Sequence, residues 1–345
     1  MKPVVIVDAH WRRMDELFSP SDLAALHDTY DVVWGKNAPI PGDVLNEALP
    51  KAFALVAAPP KVTAETLAAA PKLKVIIEVE GGFPPSIDYA ACAAKGVTVL
   101  SCAPGFRFSV AEMGLAMALG LCRGLVAEHE AFRTGGEAWL EDRDGIDFTL
   151  FGAAVGFVGF GSIARELHRL LQPFGITARA FDPWLKDADV PLVSLEEVLT
   201  GSQITFVCAA PSTENLGLLG AEQFAMMPRG AGLVVLSRAH LVDFPAMIAA
   251  IEDGHIRAAT DVFPEEPVLP DARFRTLPGL ILSPHRAAAV PGGRHPIGRG
   301  ILADLEAIMA DTAPSHLQIA DPDRLAALTG VQNAAAVSDM AEDRT

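Results

Sequence analysis

The sequence predicts an α/β protein with two domains, each built on a doubly wound sheet of parallel strands. Residues 1–103 alternate short apolar runs with helical patterns, a rhythm typical of a parallel sheet covered by helices on both faces. A second series of the same kind follows residue 150, and it opens with a glycine turn between a strand and a helix. The length of 345 residues agrees with two domains of ordinary size.

In the first series, the loop Glu80–Ser86 stands between a strand end and the start of the next helix. Ligands of open parallel sheets bind at that end of the strands. Successive glycines at 81 and 82 leave main-chain N–H groups exposed, so the loop can hold a carboxylate. A Pro-rich turn without a ligand is an equal alternative. The strands of this series are predicted at Val4–Val7, Val32–Trp34, Phe53–Ala57, Val75–Val79 and Val97–Leu100, and the helices at Asp22–His27, Gly42–Leu49, Thr63–Ala70 and Ile87–Ala94.

A long helix is predicted from Ser109 to Val126, after the break at Cys102–Gly105, and it would carry the chain from one domain to the next. Glu112 and Arg123 make this apolar segment too charged, and it is too short, for a membrane span. Residues 127–150 are more polar and would form either an arm or a subunit contact.

The second series begins with a strand at Ala153–Val158, followed by the turn Gly159–Ala164, which has the pattern G-x-G-x-x-A. Gly159 allows a tight turn, and Gly161 lets a pyrophosphate approach the backbone without meeting a Cβ. The following helix, which begins at Ser162 and Ile163, offers unpaired N–H groups to the phosphates. The turn therefore predicts dinucleotide binding; the alternative is an ordinary strand–turn–helix in which glycine only eases packing.

Asp182 ends the next predicted strand, where a carboxylate can accept hydrogen bonds from the adenosine ribose hydroxyls. The same charge would repel a 2′-phosphate, and no arginine follows it directly, so NAD is favoured over NADP. Later strands are predicted at Ile204–Val207, Leu233–Leu236, Ile256–Thr260 and Leu280–Leu282, helices at Phe244–Glu252 and Ile301–Ala310, a capping box at Ser194 and a frayed tail after Gly330.

The composition excludes several classes of function. A net charge of −16 argues against a surface for nucleic-acid phosphates or for an anionic membrane, and an anionic substrate would need a locally positive pocket. The cysteines lack a C-x-x-C pair and any metal-ligand spacing, so we expect reduced, buried thiols and no metal site. The N-terminus predicts a strand rather than a signal peptide, and we therefore expect a cytoplasmic protein.

Three polar residues follow strand ends of the second series: Arg238, Glu266 and His285. They can face one cleft beside a nicotinamide ring. An imidazole can take a hydroxyl proton as the hydride leaves, and a carboxylate on its far nitrogen can fix the tautomer. A guanidinium can hold a substrate carboxylate with two parallel bonds. Each residue taken singly could instead be a solvated surface group, and Glu265 could be the relevant acid.

The sequence resembles the D-isomer-specific 2-hydroxyacid dehydrogenases over roughly Val75 to Ala310. The resemblance rests on ordered blocks, namely Val110-Ala111-Glu112, the glycine turn, Phe181-Asp182-Pro183, Leu233–Asp243, Asp261–Pro267 and Ser283-Pro284-His285. It implies two Rossmann-like/flavodoxin-like domains with a cleft between them. The NAD-binding domain would take residues 104–286, and a discontinuous substrate domain would take residues 1–103 plus 287–345.

The resemblance also implies an NAD-dependent, dimeric oxidoreductase that interconverts a D-2-hydroxy acid and its 2-keto acid. His285 would be the acid/base, Glu266 its partner and Arg238 the substrate anchor. The implied cofactor contacts are Gly159, Gly161, Ser162, Ile163, Asp182, Ala209, Pro211, Leu236, Ser237, Arg238, Asp261 and His285. The implied substrate contacts are Glu80, Gly81, Gly82, Phe83, Arg238 and His285.

The chain departs from the family pattern in three places. Ala164 stands for the last glycine of the turn, and Ala239 stands where a glycine usually follows the arginine. Residues 82–86 lack the usual Gly-x-Asp-Asn sequence, and Phe83 with two prolines would form a shaped wall for the substrate side chain. Two alternatives stay open: a non-catalytic, NAD-sensing interaction protein on the same fold, and a related enzyme that acts on a different carboxylate.

Overall fold

The computed structural model describes residues 2–10, 12–139 and 147–330. Within these residues the chain divides into two units, one formed up to Arg107 and again from Ala288 onward, the other by Phe108–Ala287. The predicted domain boundaries, after residues 103 and 286, stay predictions. Which unit holds the substrate and which the cofactor stays a prediction at this point.

The first unit contains a six-stranded sheet in the order β12-β5-β4-β3-β1-β2. Strands β1 to β5 are parallel, and the short β12 is antiparallel to β5 at the edge. The strands are β1 Val4–Asp8, β2 Asp31–Trp34, β3 Ala52–Ala57, β4 Val75–Glu78, β5 Thr98–Ser101 and β12 Gln318–Ile319; the helices are α1 Met14–Leu17, α2 Pro20–Thr29, α3 Gly42–Ala48, α4 Ala64–Ala69, α5 Tyr89–Ala94, α12 His295–Met309 and α13 Pro322–Thr329.

Both faces of this sheet are buried, which explains why its strands are continuous apolar runs. Val5 and Val7 of β1 pack in one apolar cluster with Ile297 and Ile301 of α12, whereas Ile6 packs in a second cluster with Leu55. Side-chain N-caps set several helix starts, among them Ser19 before α2, Thr63 before α4 and Asp88 before α5.

The second unit contains a six-stranded, fully parallel sheet in the order β11-β10-β9-β8-β6-β7. Its strands are β6 Ala154–Val158, β7 Thr177–Phe181, β8 Ile204–Val207, β9 Ala231–Val235, β10 Ile256–Thr260 and β11 Leu280–Leu282; its helices are α6 Arg107–Cys122, which starts in the last residue of the first unit, α7 Leu125–Thr134, α8 Ser162–Leu171, α9 Leu195–Thr200, α10 Ala221–Met226 and α11 Phe244–Glu252.

Both sheets reverse their strand order once, between β1 and β3 in the first unit and between β6 and β8 in the second. The prediction of two α/β domains with doubly wound sheets is therefore confirmed, and the strand order is the flavodoxin-like one in each unit. The crevice at the carboxyl ends of the strands beside such a reversal is where ligands bind in open parallel sheets. In the second unit this point lies between the residues that follow β6 and those that follow β8.

The predicted long helix at 109–126 was wrong in its extent. Helix α6 ends at Cys122, and Gly124 takes a left-handed conformation with φ 60° before α7 starts. The helix predicted at Ile301–Ala310 begins earlier, at His295. The capping box at Ser194 is formed, because its Oγ accepts from Glu197 N while the Glu197 carboxylate accepts from Ser194 N. The tail after Gly330 and residues 140–146 of the segment 127–150 lie outside the described residues.

One helical stretch of the described residues, Ala103–Cys122, is long and apolar enough to cross a membrane by length and composition, and 56% of its apolar window is buried. A Cβ at Gly114 would meet Leu236 Cδ1 at 2.6 Å and Leu167 Cδ2 at 3.2 Å. The helix therefore packs against the second unit's own core, which accounts for its apolar character.

Candidate functional site

The turn after β6 contains two glycines, and the structure explains the presence of each in a different way. Gly159 has φ 85°, and a Cβ on it would lie 2.3 Å from Ala209 Cα, so only glycine fits. A Cβ on Gly161 would meet no atom within 4 Å in the described structure. Packing does not explain the second glycine, and the open space beside it fits a phosphate that approaches the main chain.

Helix α8 begins at Ser162, directly after Gly161, and Ala164 on its inner face is buried. A small residue at this position lets the helix lie close to the sheet. Ser162 and Ile163 form the first turn, whose N–H groups point toward the turn end of the strands.

Asp182 lies beside the same turn. Its Oδ2 accepts a hydrogen bond from Phe160 N at 2.9 Å, and its Oδ1 accepts one from Trp184 N at 3.0 Å. Each carboxylate oxygen has a further lone pair, so the side chain can also accept from ribose hydroxyls. The structure thus places the acid next to the turn, and its contact with the ribose hydroxyls stays a prediction.

Four more predicted cofactor residues follow two neighbouring strands. Ala209 and Pro211 follow β8, and Ala209 N donates to Val158 O at 2.9 Å, which holds the two strand ends together. Leu236 and Ser237 follow β9 and are buried. Ser237 Oγ is buried without a hydrogen-bond partner among the described residues, so the site offers a polar atom that a bound ligand could satisfy.

His285 and Glu266 form a direct pair. His285 Nδ1 lies 2.6 Å from Glu266 Oε2, and Glu266 Oε1 accepts from Phe263 N at 2.8 Å. The carboxylate is 19% exposed and the imidazole 41% exposed, so the pair has a half-buried acid and an accessible ring. With Nδ1 bonded to the acid, Nε2 is the ring nitrogen that can face a substrate.

The electrostatics of Glu266 favour its charged form. Partial burial alone would raise its pKa, but the hydrogen bond and the charge of His285 lower it. The bond from Phe263 N and the positive charge of Arg238 act in the same direction, and the net pKa of Glu266 lies below its usual value. Arg238 therefore acts on the pair electrostatically, and its Nη1 donates to Ser237 O at 2.8 Å.

Ala239, where the family usually has glycine, begins a 3₁₀ turn at Ala239–Leu241 and is not among the described residues with positive φ. An alanine is compatible with that conformation. The arginine that precedes it has an extended backbone, with φ −149° and ψ 145°.

Asp261 differs from its predicted role as a contact to the nicotinamide end of the cofactor. It is 1% exposed, and its carboxylate accepts from Ser283 Oγ, from Arg286 N at 3.0 Å and from Ala287 N at 3.0 Å. The reason is geometric, because the chain after β11 folds over the end of β10 and surrounds the carboxylate. Asp261 holds the segment that carries His285.

The N–H groups of the loop after β4 have an acceptor within the first unit, and their contact with a substrate stays a prediction. Gly81 N and Gly82 N, which we expected to face a substrate carboxylate, each donate to Glu78 Oε2 at 2.8 Å. Glu80 N donates to Glu78 Oε1 at 2.6 Å. Glu78 is 1% exposed, and its burial raises its pKa to about 7, even though the three N–H groups favour the charged form.

Phe83 is not an exposed wall. Its side chain is 8% exposed and meets the ring of Tyr89 edge-on, with 6.4 Å between centroids. Tyr89 in turn donates to Pro84 O at 2.9 Å. The loop is thus fixed from inside the first unit, which leaves little of the Phe83 ring for a ligand.

The sequence reasoning missed Glu78 altogether. A signal was present, since an acid stands inside the apolar run Val75–Val79, three residues before the first of two glycines. A charged residue in a buried strand needs partners, and exposed N–H groups of a glycine loop are the nearest ones available.

Comparison with known proteins bears on the second unit first. The family model described as "D-isomer specific 2-hydroxyacid dehydrogenase, NAD binding domain" matches residues 115–287. A solved structure titled as a phosphoglycerate oxidoreductase from Rhizobium etli has a TM-score of 0.82 and 36% identity, covering 93% of this chain and 99% of that one.

Curated relatives extend the similarity over both units. The chain is 32% identical to D-3-phosphoglycerate dehydrogenase of Mycobacterium bovis over 316 residues, which is 89% of this chain and 57% of the relative. It is 27% identical to glyoxylate reductase of Thermococcus onnurineus, covering 92% of this chain and 96% of the relative. The chain thus spans little more than half the length of the first of these relatives.

Proposed function

Because this chain belongs to the D-isomer specific 2-hydroxyacid dehydrogenase family, we propose that it interconverts a D-2-hydroxy acid and its 2-keto acid with NAD as cofactor. The second unit is a nicotinamide-dinucleotide-binding domain of this family. The observation that most supports the reaction is the hydrogen bond of 2.6 Å between His285 Nδ1 and Glu266 Oε2.

In the proposed mechanism His285 moves the proton. When a hydroxy acid is oxidised, Nε2 accepts the proton of the C2 hydroxyl group, and in the reverse direction it donates a proton to the carbonyl oxygen. Glu266 fixes the Nδ1–H tautomer and stabilises the imidazolium form. A nicotinamide cofactor, which the glycine turn and Asp182 would hold, would supply the hydride chemistry at C2.

Arg238 binds the substrate in this proposal. Its guanidinium would hold the substrate carboxylate with two parallel hydrogen bonds and draw charge from the adjacent C2 oxygen. The protein has an excess of acids, with 43 Asp and Glu against 27 Lys and Arg, so such a local positive group is needed to hold an anionic substrate.

NAD is proposed over NADP because of Asp182. Its carboxylate is fixed beside the glycine turn by Phe160 N and Trp184 N, in the region where the adenosine ribose binds in this type of fold. A 2′-phosphate there would meet a fixed negative charge.

A direct assay tests the function. The purified protein is mixed with NADH and a panel of 2-keto acids that includes glyoxylate, hydroxypyruvate and pyruvate, and with NAD and D-3-phosphoglycerate, while the nicotinamide absorbance is followed. We expect turnover with at least one of them. Absence of turnover with every substrate, together with tight NADH binding, would favour the non-catalytic, NAD-sensing alternative.

The variant His285→Ala tests whether the activity depends on the pair of His285 and Glu266. His285→Ala should lose turnover by about 100-fold or more, as expected for removal of a general acid/base, while NADH affinity changes little. Full activity in His285→Ala would refute the assigned role.

We also propose a homodimer, as the family resemblance implies. Large apolar side chains are exposed on and after α7, with Leu125 at 64%, Phe132 at 60% and Trp139 at 71% exposure. Analytical ultracentrifugation would give the mass, and a monomer at micromolar concentration would contradict the proposal.

A reducing compartment such as the cytoplasm is proposed because the four cysteines are free and buried.

A further inference from the structure

The carboxylate of Glu78 fills an anion-binding position of its own loop. It ends β4 and accepts hydrogen bonds from three successive main-chain N–H groups, those of Glu80, Gly81 and Gly82, at 2.6, 2.8 and 2.8 Å. Successive N–H groups that converge in this way form a concave site for an anion. Here the anion is a side chain of the protein.

This arrangement costs free energy that a simple loop would not require. Glu78 lies in a strand whose neighbours Ile77 and Val79 are fully buried, and a carboxylate in such surroundings is desolvated. A neutral side chain with one oxygen could also hold a turn. The Glu78 carboxylate uses both of its oxygens as acceptors. It therefore presents the same acceptor atoms as the carboxylate of a 2-hydroxy acid.

We propose that Glu78 competes with the substrate carboxylate for Gly81 N and Gly82 N and thereby sets the affinity for the acid. The proposal rests on the proposed function and adds a determinant of substrate affinity to it. A substrate carboxylate can take these N–H groups only when the Glu78 side chain leaves them, so its binding includes the cost of displacing Glu78.

The free-energy cost of displacing the Glu78 side chain depends on whether its carboxyl group is ionised. The groups that act electrostatically with it are Glu80 of the same loop, Arg12 after β1, Tyr89 at the start of α5 and Cys102 after β5. Burial raises the pKa of Glu78 to about 7. The ionised form is the stronger acceptor, so the competition is strongest above that pH and weakens below it.

The test compares Glu78→Gln with the parent protein and with Glu65→Gln, which removes the same charge from an exposed position on α4. At pH 8 the KM for the best 2-keto acid should fall about tenfold in Glu78→Gln, the equivalent of one charge-assisted hydrogen bond, with a much smaller change in kcat. Glu65→Gln should match the parent.

A pH series gives a second readout. In the parent, KM should rise between pH 6 and pH 8 by more than it does in Glu78→Gln. The two proteins differ only at residue 78, so the difference between the two curves isolates Glu78. Equal curves, or a KM that rises in Glu78→Gln while turnover persists, would overturn the proposal.

The outcomes separate this proposal from the proposed function. If the parent turns over a keto acid but the variant shows the same KM, competition fails and the enzyme activity stands. If the parent shows no turnover, calorimetric binding of oxamate to the NADH-loaded protein replaces KM, with tighter binding to Glu78→Gln expected. Glu78→Ala serves if the glutamine variant does not fold; if neither folds, Glu78 is an obligatory structural residue and the proposal is wrong.

Discussion

Asp261 accepts hydrogen bonds from residues on both sides of His285. Ser283 Oγ precedes the histidine, and Arg286 N and Ala287 N follow it, the last two at 3.0 Å from the carboxylate. His285 itself has φ 47°, a left-handed conformation that is uncommon outside glycine. A buried carboxylate therefore holds the backbone around an imidazole in an unfavourable conformation, which directs the ring to Glu266.

The first prediction concerns this clamp. Asp261→Asn keeps the size of the side chain but replaces one acceptor with a donor, so the free energy of unfolding should fall by about 1–3 kcal/mol. The kcat should fall by about tenfold or more through misplacement of the imidazole. Steady-state kinetics and thermal unfolding check both values.

Asp271→Asn, at an exposed position, is the control for Asp261→Asn. A positioning role requires that kcat fall more than KM rises and that the pH profile of kcat shift. Loss of stability with an unchanged profile would leave Asp261 with a purely structural part.

The second prediction separates the neighbouring acids Glu265 and Glu266. Only Glu266 bonds to the imidazole, and Glu265 is exposed. Glu266→Gln should lower kcat by about 100-fold, because the tautomer and the imidazolium lose their support, whereas Glu265→Gln should stay within about twofold. Equal losses in the two variants would show that the observed pairing is not the catalytic one.

How much the sequence could predict depends on the kind of feature. The buried strands were predicted well, as at Ile204–Val207, because a strand covered on both faces is a short, uninterrupted apolar run. The break at Gly124 was missed, since a single glycine is compatible with a helical pattern. The exposed edge strand at Gln318–Ile319 has no apolar run to reveal it.

The candidate site shows the same division. His285 follows the end of β11 and Glu266 lies in the loop after β10, but strand order left Glu265 as an equal candidate. The pairing with Glu266 was expected from the family resemblance. The bonds of Asp261 and Glu78 could not be predicted, because they depend on how loops fold back over a carboxylate. Local periodicity contains no information on that path.

The third prediction uses the two glycines of the turn. Gly159→Ala would place a Cβ 2.3 Å from Ala209 Cα, on a backbone with φ 85°. The free energy of unfolding should therefore fall by about 2 kcal/mol or more. Gly161→Ala meets no such contact in the described structure, and its stability should change by less than about 1 kcal/mol.

Cofactor affinity shows whether Gly161→Ala, which should leave stability nearly unchanged, alters the binding site. NADH affinity of Gly161→Ala, followed by nicotinamide fluorescence, should weaken about tenfold because the new methyl group occupies the approach of the phosphates. Unchanged affinity would mean that the open space beside Gly161 is not the phosphate position.

The fourth prediction concerns the choice between NAD and NADP. Asp182→Asn removes the charge that would oppose a 2′-phosphate and weakens the bonds to the ribose hydroxyls. The ratio of kcat/KM for NADH to that for NADPH should fall by about tenfold or more. Asp187→Asn, exposed on the loop that follows, should leave the ratio unchanged, and an unchanged ratio in Asp182→Asn would argue against the proposed ribose contact.

The last prediction is a dependence of stability on pH that needs no substrate. Burial raises the pKa of Glu78 from an ordinary value of 4.5 to about 7, so the folded state keeps the proton that the unfolded chain loses first. The stability from this group is fully present below pH 4.5 and is lost as pH rises to about 7. The loss is on the order of 3 kcal/mol, from the size of the shift.

The glutamine of Glu78→Gln does not titrate. As pH rises from 4.5 to about 7, the free energy of unfolding of the variant should therefore increase relative to that of the parent. Urea unfolding of both proteins at pH 5, 6, 7 and 8 measures it, with Glu65→Gln as the control for charge. A constant difference at all four values would mean that the carboxyl group is ionised throughout, held by its three N–H donors. In that case the three hydrogen bonds outweigh desolvation, and the competition with a substrate carboxylate would not depend on pH in this range.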